Sequence, residues 1–328
     1  MKKVRVGIAG YGNIGRGVEA ALASSPDMEL AGIFTRRGPG EVASASGAAV
    51  YSLDKACDFT GSIDVMVLCG GSFSDLPVQG PQLAAMFNTV DSFDTHSKMR
   101  EYFAAVDAAA KTGGKTAVIG AGWDPGLFSM VRVLFDSLFP DGATNSFWGT
   151  YGRGLSQGHS DAVRRVPGVK LAAQYTVPDK SLIELSRSGK AGALTARQTH
   201  RRRVFCVLEP GADAAAVKTA VVTMLGYFEG YETEVNFISE EEYLRSHTEM
   251  STGGASIRAA ATKSASHLME FSLNMDSNPE FTASVMVAYA RATHRLACEG
   301  AVGARTVLDV APAYLSPLGR DELLEKYV

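Results

Sequence analysis

The sequence has few cysteines, and they do not cluster. Cys57, Cys69, Cys206 and Cys298 are far apart and form no CxxC pair. This spacing argues against a zinc site or a disulfide framework and fits free thiols in a reducing cytoplasm. The six histidines do not come together with the cysteines at metal-ligand spacing either, so we expect no bound metal.

The sequence also lacks long apolar runs and an excess of either charge. No stretch approaches the roughly 18 apolar residues that a membrane span needs. The formal net charge is −3, which argues against a dedicated nucleic-acid binder or a basic membrane-surface protein. The N-terminal run MKKVRVGIAG meets glycines after a few residues, which favours a buried strand over a signal peptide. We expect a cytoplasmic protein with neither a nucleic-acid nor a membrane partner.

The first third of the chain alternates short β-rich runs with helical patterns. Strands are predicted at Val4–Ala9, Glu29–Phe34, Val65–Cys69 and Thr116–Ile119, another strand ends at Val90, and helices are predicted at Asn13–Ser24 and Ser97–Lys111. Strand, helix and strand in repetition predict a doubly wound α/β domain of the Rossmann type.

The pattern changes after residue 143. Tyr231–Phe237 and His267–Met275 alternate apolar and polar residues, as half-buried strands with antiparallel neighbours do. Helical patterns occur at Ala212–Met224 and Pro279–Cys298. The prediction is an α/β chain with a dinucleotide-binding domain, residues 1–120, on which residues 299–328 pack back. An α+β substrate-binding and dimerisation domain with an open mixed sheet, residues 121–298, follows it.

A glycine-rich turn follows the first predicted strand. Gly10, Gly12 and Gly15 fit the pattern GxGxxG and open a helix, which is the context that gives this pattern its meaning. The glycines allow a tight turn, close approach of the backbone to a pyrophosphate, and close packing of helix on strand. The helix N-terminus offers free N–H groups to phosphate. The turn therefore predicts a dinucleotide site.

The end of the second strand indicates which dinucleotide binds. An NAD enzyme usually has Asp or Glu there for the ribose 2′-hydroxyl. This chain instead has Thr35, Arg36 and Arg37. Because guanidinium groups match phosphate oxygens with paired donors, these residues favour the 2′-phosphate of NADP.

Four further segments follow strands, at the edge where α/β sheets bind ligands. They are Cys69–Ser72, Asp91–Asp94, Gly120–Gly126 and Phe147–Gly149. Their glycines permit close approach of a ligand, and Asp94 and Asp124 add two carboxylates. Two carboxylates near a nicotinamide suit a cationic group such as an ammonium, although an Asp in such a turn is also a common helix cap.

The chain resembles the meso-diaminopimelate dehydrogenase family from about Lys3 to about Pro317. In chain order, the motifs are GYGNIGR, FTRR, VDSFDTH, GWDPG, FWG, GLSQGHSDA, RRVPGV, QTHRR and NPEFTAS. The resemblance implies oxidative deamination of the D-centre of meso-2,6-diaminopimelate, a small-molecule substrate, with NADP as hydride acceptor and L-2-amino-6-oxopimelate and ammonia as products. The reverse reaction is a reductive amination in lysine and cell-wall precursor synthesis. The family is typically homodimeric.

The resemblance also implies the residues that bind each ligand. Together with Gly10 and Gly15 of the motif, the cofactor positions are Tyr11, Gly12, Asn13, Ile14, Thr35, Arg36, Arg37, Cys69, Gly70, Gly71, Ser72, Ser92, Phe93, Asp94, Ala121, Gly122, Trp123, Asp124 and Pro125. The substrate positions are Asp94, Asp124, Trp148, Gln157, Gly158, Thr176, Arg202 and Asn278.

These positions have chemical roles that suit a molecule with two ammoniums and two carboxylates. Asp94 and Asp124 can hold the ammonium at the reacting centre, and either can be the base that takes its proton. Arg202 can bind a carboxylate through two parallel hydrogen bonds. His200, two residues earlier, is either a substrate-facing or a structural residue. Neutral donors, loop amides and an apolar wall come from Thr176, Asn278, Gln157, Gly158 and Trp148.

One position departs from the family pattern. The family usually has a histidine before a glycine pair in a segment like HTGMPHGG, whereas residues 247–254 here read HTEMSTGG. Thr252 therefore stands in place of that histidine. Its hydroxyl can bind a carboxylate but carries no charge, so we expect a substrate contact at Thr252 and less strict recognition of the distal end. The loop after Trp148 is also longer than in the family, and its Arg153 is a candidate for replacing the missing charge.

Three functions fit these residues to different degrees. The first is the diaminopimelate dehydrogenase, and the second is an NADP-dependent oxidoreductase of related fold that acts on another D-amino or 2-oxo acid. The third, a non-enzymatic NADP-binding regulator, predicts loss of the polar groups at the reacting end. Asp94, Asp124, Arg202 and Asn278 are all present, which argues against the third function. Thr252 keeps the second one open.

Overall fold

The chain folds into two compact units. A computed structural model describes residues 3–139, 141–261 and 265–328. Unit 1 comprises Met1–Met130 and Pro279–Val328, and unit 2 comprises Val131–Asn278. Within the described ranges, no helix has both the length and the apolar character needed to cross a membrane.

The elements, numbered in chain order, alternate through most of the chain. The strands are β1 (Val4–Ala9), β2 (Met28–Thr35), β3 (Val50–Ser52), β4 (Val65–Leu68), β5 (Thr89–Asp91), β6 (Thr116–Ile119), β7 (Ala143–Trp148), β8 (Val169–Pro178), β9 (His200–Leu208), β10 (Thr233–Phe237), β11 (Thr252–Ala261), β12 (Ser266–Met275) and β13 (Gly303–Thr306). The helices are α1 (Asn13–Ala23), α2 (Leu76–Ala84), α3 (Met99–Gly113), α4 (Leu127–Leu138), α5 (Gln157–Arg164), α6 (Lys180–Arg187), α7 (Ala196–Thr199), α8 (Ala214–Val222), α9 (Glu240–Ser246), α10 (Asn278–Cys298) and α11 (Arg320–Tyr327).

Unit 1 contains a seven-stranded parallel sheet. Its strand order is β13-β6-β5-β4-β1-β2-β3, and every pair of neighbours runs parallel. The central strand β4 is apolar throughout and all four of its residues are buried, as expected for a strand covered on both faces. The predicted Rossmann-type domain is thereby confirmed. Because β3 has only three residues, it left no periodic pattern in the sequence.

The C-terminal part of the chain belongs to unit 1. Strand β13 pairs with β6 at one edge of the parallel sheet. Helix α10 also belongs to unit 1, whereas the sequence placed it in the second domain. Its Ala283, Met286 and Ala290 lie in the hydrophobic cluster that contains Val6 and Ile8 of β1. The boundary near the middle of the chain is at Met130 rather than at residue 120.

Unit 2 contains two three-stranded sheets instead of one open sheet. Their strand orders are β10-β9-β8 and β12-β11-β7. Strand β12 is antiparallel to β11, as predicted. Strand β10 is parallel to β9, so the prediction of an antiparallel neighbour for Tyr231–Phe237 is wrong. The physical reason is that α8 lies between these strands and provides the crossover that a parallel pair needs. The first of the two sheets is therefore mixed.

Candidate active site

The glycine turn joins β1 to α1 in the form that the sequence predicts. Gly10 has a φ of +95°, a conformation that L side chains rarely adopt. A Cβ at Gly15 would clash with the Gly10 carbonyl oxygen, whereas a Cβ at Gly12 would meet nothing within 4 Å. Helix α1 starts after Gly12, and no side chain at this N-cap position hydrogen-bonds to the helix start. Helices α6, α8 and α9, in contrast, are capped by Asp179, Asp213 and Ser239.

A buried carboxylate behind this turn was not predicted. The Tyr11 hydroxyl donates to Glu19 of α1, and Glu19 also accepts from the Ser44 hydroxyl and from the backbone N–H groups of Ala45 and Ser46. Burial acts to raise the pKa of Glu19, but the hydrogen bonds from Ser44, Ser46 and Tyr11 outweigh it and lower the pKa to about 2. The Tyr11 side chain is thus buried, and at the glycine turn Tyr11 can offer only backbone groups.

The two arginines at the end of β2 contact different loops. Arg37 donates from its guanidinium to the Tyr11 carbonyl oxygen, and its backbone N–H donates to Thr35 Oγ1 at 3.2 Å. Arg36 forms an ion pair with Asp75, with 2.8 Å between Nη2 and Oδ1. Both arginine side chains are exposed, while Thr35 is buried. The Arg37 guanidinium therefore lies at the glycine turn, and the Arg36 guanidinium lies at Asp75, in the loop between β4 and α2.

The loops after β4 and β5 are joined by Ser72. Its hydroxyl accepts from the backbone N–H of Asp94 at 2.8 Å and from that of Thr95 at 3.2 Å. Asp94 is exposed, and Asp124 in the loop after β6 is half-buried. Several predicted cofactor positions on these loops have buried side chains and can offer only backbone atoms, namely Cys69, Phe93 and Ala121.

Asp91, the last residue of β5, connects the loops that bear the two candidate catalytic carboxylates. Its Oδ1 accepts from the backbone N–H of Phe93 at 2.9 Å and from that of Gly120 at 3.1 Å. Its Oδ2 accepts from the Tyr102 hydroxyl at 2.6 Å. The sequence predicted the segment Asp91–Asp94 but assigned no role to Asp91 itself.

In unit 2, Thr176 and Arg202 lie together on adjacent strands. They are register partners in the β8–β9 pair, and Arg202 Nη1 donates to Thr176 Oγ1 at 2.7 Å. The guanidinium lies over the ring of Tyr231, 4.3 Å from its centroid. Arg202 is buried, and its Nε has no hydrogen-bond partner within the described ranges. A buried guanidinium with an unused donor is suited to an anionic ligand group, because an unpaired buried donor is costly.

Trp148 at the end of β7 is held by its neighbours. Its backbone N–H donates to His200 Nε2 at 2.6 Å. A side chain at Gly254 would clash with the Trp148 indole, which explains the glycine at that position of β11. Burial and the nearby Arg202 lower the pKa of His200 to about 4, so its ring is neutral and accepts at Nε2. The buried ring of His200 therefore holds the backbone of Trp148 in place.

Gln157 and Asn278 come together at Met250. Gln157 Nε2 lies 3.2 Å from Met250 Sδ, and the Asn278 backbone N–H donates to the Met250 carbonyl oxygen at 3.2 Å. Gly158 follows Gln157 in the first turn of α5. These predicted substrate positions therefore form one cluster within unit 2.

Thr252 is buried, and Arg153 forms an ion pair within the protein. Thr252 is only 2% exposed, at the start of β11. Arg153 pairs with Glu249, at 2.8 Å between Nε and Oε2, and its guanidinium also donates to the Ser246 carbonyl oxygen. Glu249 thus balances the charge of Arg153. Through these contacts Arg153 links the loop after Trp148 to the segment before β11.

The strand order, the uncapped glycine turn and the polar loops at the strand ends define the class of the protein as a two-domain, dinucleotide-dependent oxidoreductase. The family model of the diaminopimelic acid dehydrogenase C-terminal domain matches residues 122–277. The meso-diaminopimelate D-dehydrogenase of Lysinibacillus sphaericus is 55% identical over 324 residues, which are 98% of each chain.

Two solved structures are similar over their whole length. The C. glutamicum diaminopimelate dehydrogenase in complex with diaminopimelate has a TM-score of 0.94 and 42% identity, with 100% of each chain covered. An engineered D-amino acid dehydrogenase bound to NADP+ has a TM-score of 0.93 and 41% identity, again with 100% of each chain covered. The chain belongs to the meso-diaminopimelate D-dehydrogenase family, which confirms the resemblance carried by the sequence motifs.

Proposed function

We propose that this protein catalyses the NADP-dependent oxidative deamination of the D-centre of meso-2,6-diaminopimelate and the reverse reductive amination. The observation that carries the proposal is the buried Arg202–Thr176 pair, with 2.7 Å between Nη1 and Oγ1. Such a pair is suited to a substrate carboxylate. Its occurrence in a member of this family favours a dicarboxylic amino acid as substrate.

Residues of unit 1 are proposed to bind NADP. The turn at Gly10–Gly15 and the uncapped start of α1 bind the pyrophosphate, and Thr35, Arg36 and Arg37 bind the 2′-phosphate. The loops Cys69–Ser72, Ser92–Asp94 and Ala121–Pro125 offer backbone groups to the rest of the cofactor. When bound, NADP supplies the hydride acceptor, so the protein needs to provide mainly binding and orientation.

Asp94 and Asp124 are proposed to act on the reacting ammonium. Their loops follow β5 and β6, which are adjacent in the sheet. Two carboxylates can hold an ammonium through charge-assisted hydrogen bonds and keep its carbon in one orientation. Either carboxylate can accept a proton from nitrogen, and loss of the hydride from the carbon to the bound acceptor then gives the imine. Addition of water to the imine and release of ammonia leave the oxo group.

The substrate positions of unit 2 are proposed to recognise the remaining groups of diaminopimelate. Arg202 and Thr176 bind a carboxylate, and Trp148 contributes an apolar wall for the methylene chain. Gln157, Gly158 and Asn278 add neutral hydrogen-bonding groups near Met250. Thr252 offers only its hydroxyl and backbone groups, with no charge, and it is almost fully buried.

An assay of NADPH formation tests this function. The substrates are meso-, LL- and DD-diaminopimelate and simple D-amino acids, each tested with NADP and with NAD. We expect the highest kcat/KM with meso-diaminopimelate and NADP. If meso-diaminopimelate gives no cofactor reduction while a simple D-amino acid does, the proposal is wrong.

A second candidate function is the NADP-dependent oxidation of other D-amino acids. It is favoured by Thr252, a neutral and nearly buried residue where the family pattern has histidine. With less charge to select the distal end of the substrate, D-amino acids without a second carboxylate lose less binding energy relative to meso-diaminopimelate. The same assay separates the two candidates through the ratio of their kcat/KM values.

The protein is further proposed to be a cytoplasmic homodimer. All four cysteines are free thiols, which suits a reducing compartment. Strand β12 lies at one edge of its sheet and pairs only with β11 among the described residues. Because an open strand edge promotes association, a second copy of the chain covering β12 is the arrangement that we favour.

A further inference from the structure

Asp91 is a buried carboxylate at the point where the loops after β5 and β6 meet. One of its oxygens, Oδ1, accepts two backbone N–H groups, from Phe93 at 2.9 Å and from Gly120 at 3.1 Å. The Asp91 carbonyl oxygen also accepts from the N–H of Ala121 at 2.7 Å. Phe93 immediately precedes Asp94, and Gly120 opens the segment that leads to Asp124. One residue thus fixes the backbone of both loops.

We propose that Asp91 is a positioning residue for the deamination, which acts by holding the Asp94 and Asp124 loops in the arrangement that binds the reacting ammonium. This inference rests on the proposed function, because it takes Asp94 and Asp124 as the carboxylates that contact the substrate. Asp91 contacts neither ligand in this proposal and acts only through the backbone of the two loops.

The surroundings of Asp91 are built to keep its carboxylate in one place. The Tyr102 hydroxyl donates to Oδ2 at 2.6 Å, and the Tyr102 ring stacks on Phe93 with 4.0 Å between centroids. The Tyr102 hydroxyl lies so close to Gly80 of α2 that a Cβ there would clash with it. Rotation of Asp91 would therefore break hydrogen bonds to both loops.

Asp91 is a buried carboxylate whose partners carry no charge. Its hydrogen-bond partners, the N–H groups of Phe93 and Gly120 and the Tyr102 hydroxyl, are all neutral. Burial raises the pKa of Asp91 to about 6, although hydrogen bonds from Tyr102, Phe93 and Gly120 act to lower it. An ionised group in such a place costs free energy. The two N–H groups at Oδ1 and the Tyr102 hydroxyl at Oδ2 offset part of that cost, and they also fix the orientation of the side chain.

Ser72 completes the same arrangement from a third loop. Its hydroxyl accepts from the backbone N–H groups of Asp94 and Thr95. The backbone of Asp94 is therefore held on one side through Ser72 and on the other through Phe93 and Asp91. The Asp124 loop has its anchor at Gly120, so loss of Asp91 is expected to disturb both carboxylates together.

The test compares Asp91→Ala with the conservative Asp91→Asn. The amide oxygen introduced by the second variant would still accept both N–H groups, so the test can separate geometry from charge. We expect Asp91→Ala to lower kcat by about 10- to 100-fold, because misplacement of catalytic groups by about 1 Å has effects of this size. We expect Asp91→Asn to retain kcat within about threefold and the dissociation constant of NADPH to change less than about twofold in both variants.

A deuterium isotope effect gives a readout that a purely structural role would not change. With meso-diaminopimelate deuterated at the D-centre, we expect a larger isotope effect on kcat in Asp91→Ala, since cleavage of the C–H bond then limits the rate more strongly. Asp107→Ala is the matched control, because Asp107 also accepts a backbone N–H, that of Ala304 at 2.9 Å, but does so between α3 and β13. Its kcat and isotope effect should equal those of the wild type.

The outcomes separate this inference from the proposed function. If folded Asp91→Ala has the kcat and isotope effect of the wild type, or if Asp91→Asn loses as much activity as Asp91→Ala, the proposal that Asp91 positions the loops is wrong.

If Asp91→Ala does not fold, Tyr102→Phe is the variant that tests the proposal, because it removes only the hydrogen bond to Oδ2. An unchanged kcat and isotope effect in Tyr102→Phe overturns the inference, and a lower kcat with unchanged NADPH binding supports it. A wild-type enzyme inactive on meso-diaminopimelate contradicts the proposed function alone, and the variants are then compared on the D-amino acid that it oxidises.

Discussion

Two buried carboxylates each hold more than one loop of unit 1 in place. Glu19 accepts hydrogen bonds from the Tyr11 and Ser44 hydroxyls and from backbone N–H groups of the loop before β3. Asp91 accepts hydrogen bonds from backbone N–H groups of the loops after β5 and β6. Each is paired with a tyrosine hydroxyl, and each acts on loops whose own sequences are rich in small residues. A carboxylate can accept several hydrogen bonds at once, so each of these residues can hold more than one loop segment.

The Glu19 network predicts a pH-dependent contribution to stability. Its pKa is about 2 in the folded protein, below the ordinary value of 4.5. The stabilisation is therefore fully present above the unfolded-state pKa and is lost as the pH falls from 4.5 towards 2. We expect Glu19→Gln to lower the free energy of unfolding at neutral pH by on the order of 3 kcal/mol or less.

Urea unfolding of the wild type and Glu19→Gln at a series of pH values measures this contribution. The difference between the two proteins should shrink as the pH falls below 4.5. A difference that stays constant down to acid pH would mean that Glu19 stabilises the protein by packing and not by its charge.

Arg36 and Arg37 predict the cofactor preference. Replacement of both by Ala should weaken NADP binding by about 10- to 100-fold, since hydrogen bonds to charged groups contribute about 1.5–3 kcal/mol. NAD lacks the 2′-phosphate, so its binding should change much less. Fluorescence titration with NADPH and NADH measures both dissociation constants. An equal loss for the two cofactors would contradict the role assigned to these arginines.

The sequence predicted candidate ligand residues but not the residues that hold their loops. Gly12, Arg37 and Asp94 could be proposed because each lies at a fixed place relative to a strand end. Glu19, Asp91 and Tyr231 could not, because their roles depend on contacts with residues that are distant in the sequence or on a neighbouring strand. His200 shows the same limit, since only the structure reveals that its ring accepts from the Trp148 N–H.

At the scale of helices and strands, the local sequence pattern predicted most elements. Which other element each one packs against or pairs with was harder to predict. The limits of β1 and β6 agree with the prediction, since their apolar runs are bounded by glycine and polar residues. Helix α10 was predicted nearly to its ends, yet it packs on unit 1. The deciding contact is steric, since a Cβ at Gly17 of α1 would lie 2.8 Å from the Ala283 Cβ. Such close helix packing requires a glycine, and periodicity alone does not reveal which helix approaches it.

At the scale of the whole molecule, the open edge of β12 is the feature that calls for a partner. The strand has ten residues and an exposed edge, and Leu268 on it is 51% exposed. Native proteins usually cover or interrupt a long edge strand of this kind, because its free backbone groups can pair with another chain. A cyclic homodimer covers the edge with the same surface of a second copy.

The proposed dimer predicts a mass of about twice 34.7 kDa by sedimentation or light scattering. Leu268→Glu should shift the protein towards the monomer, because it introduces a charge where the second copy would bury an apolar side chain. Leu225→Glu is the matched control, since Leu225 is 73% exposed and lies outside β12. We expect it to leave the mass unchanged.

A wild-type monomer at micromolar concentration would exclude the homodimer. A Leu268→Glu variant that remains fully dimeric would show that the dimer interface does not include this residue.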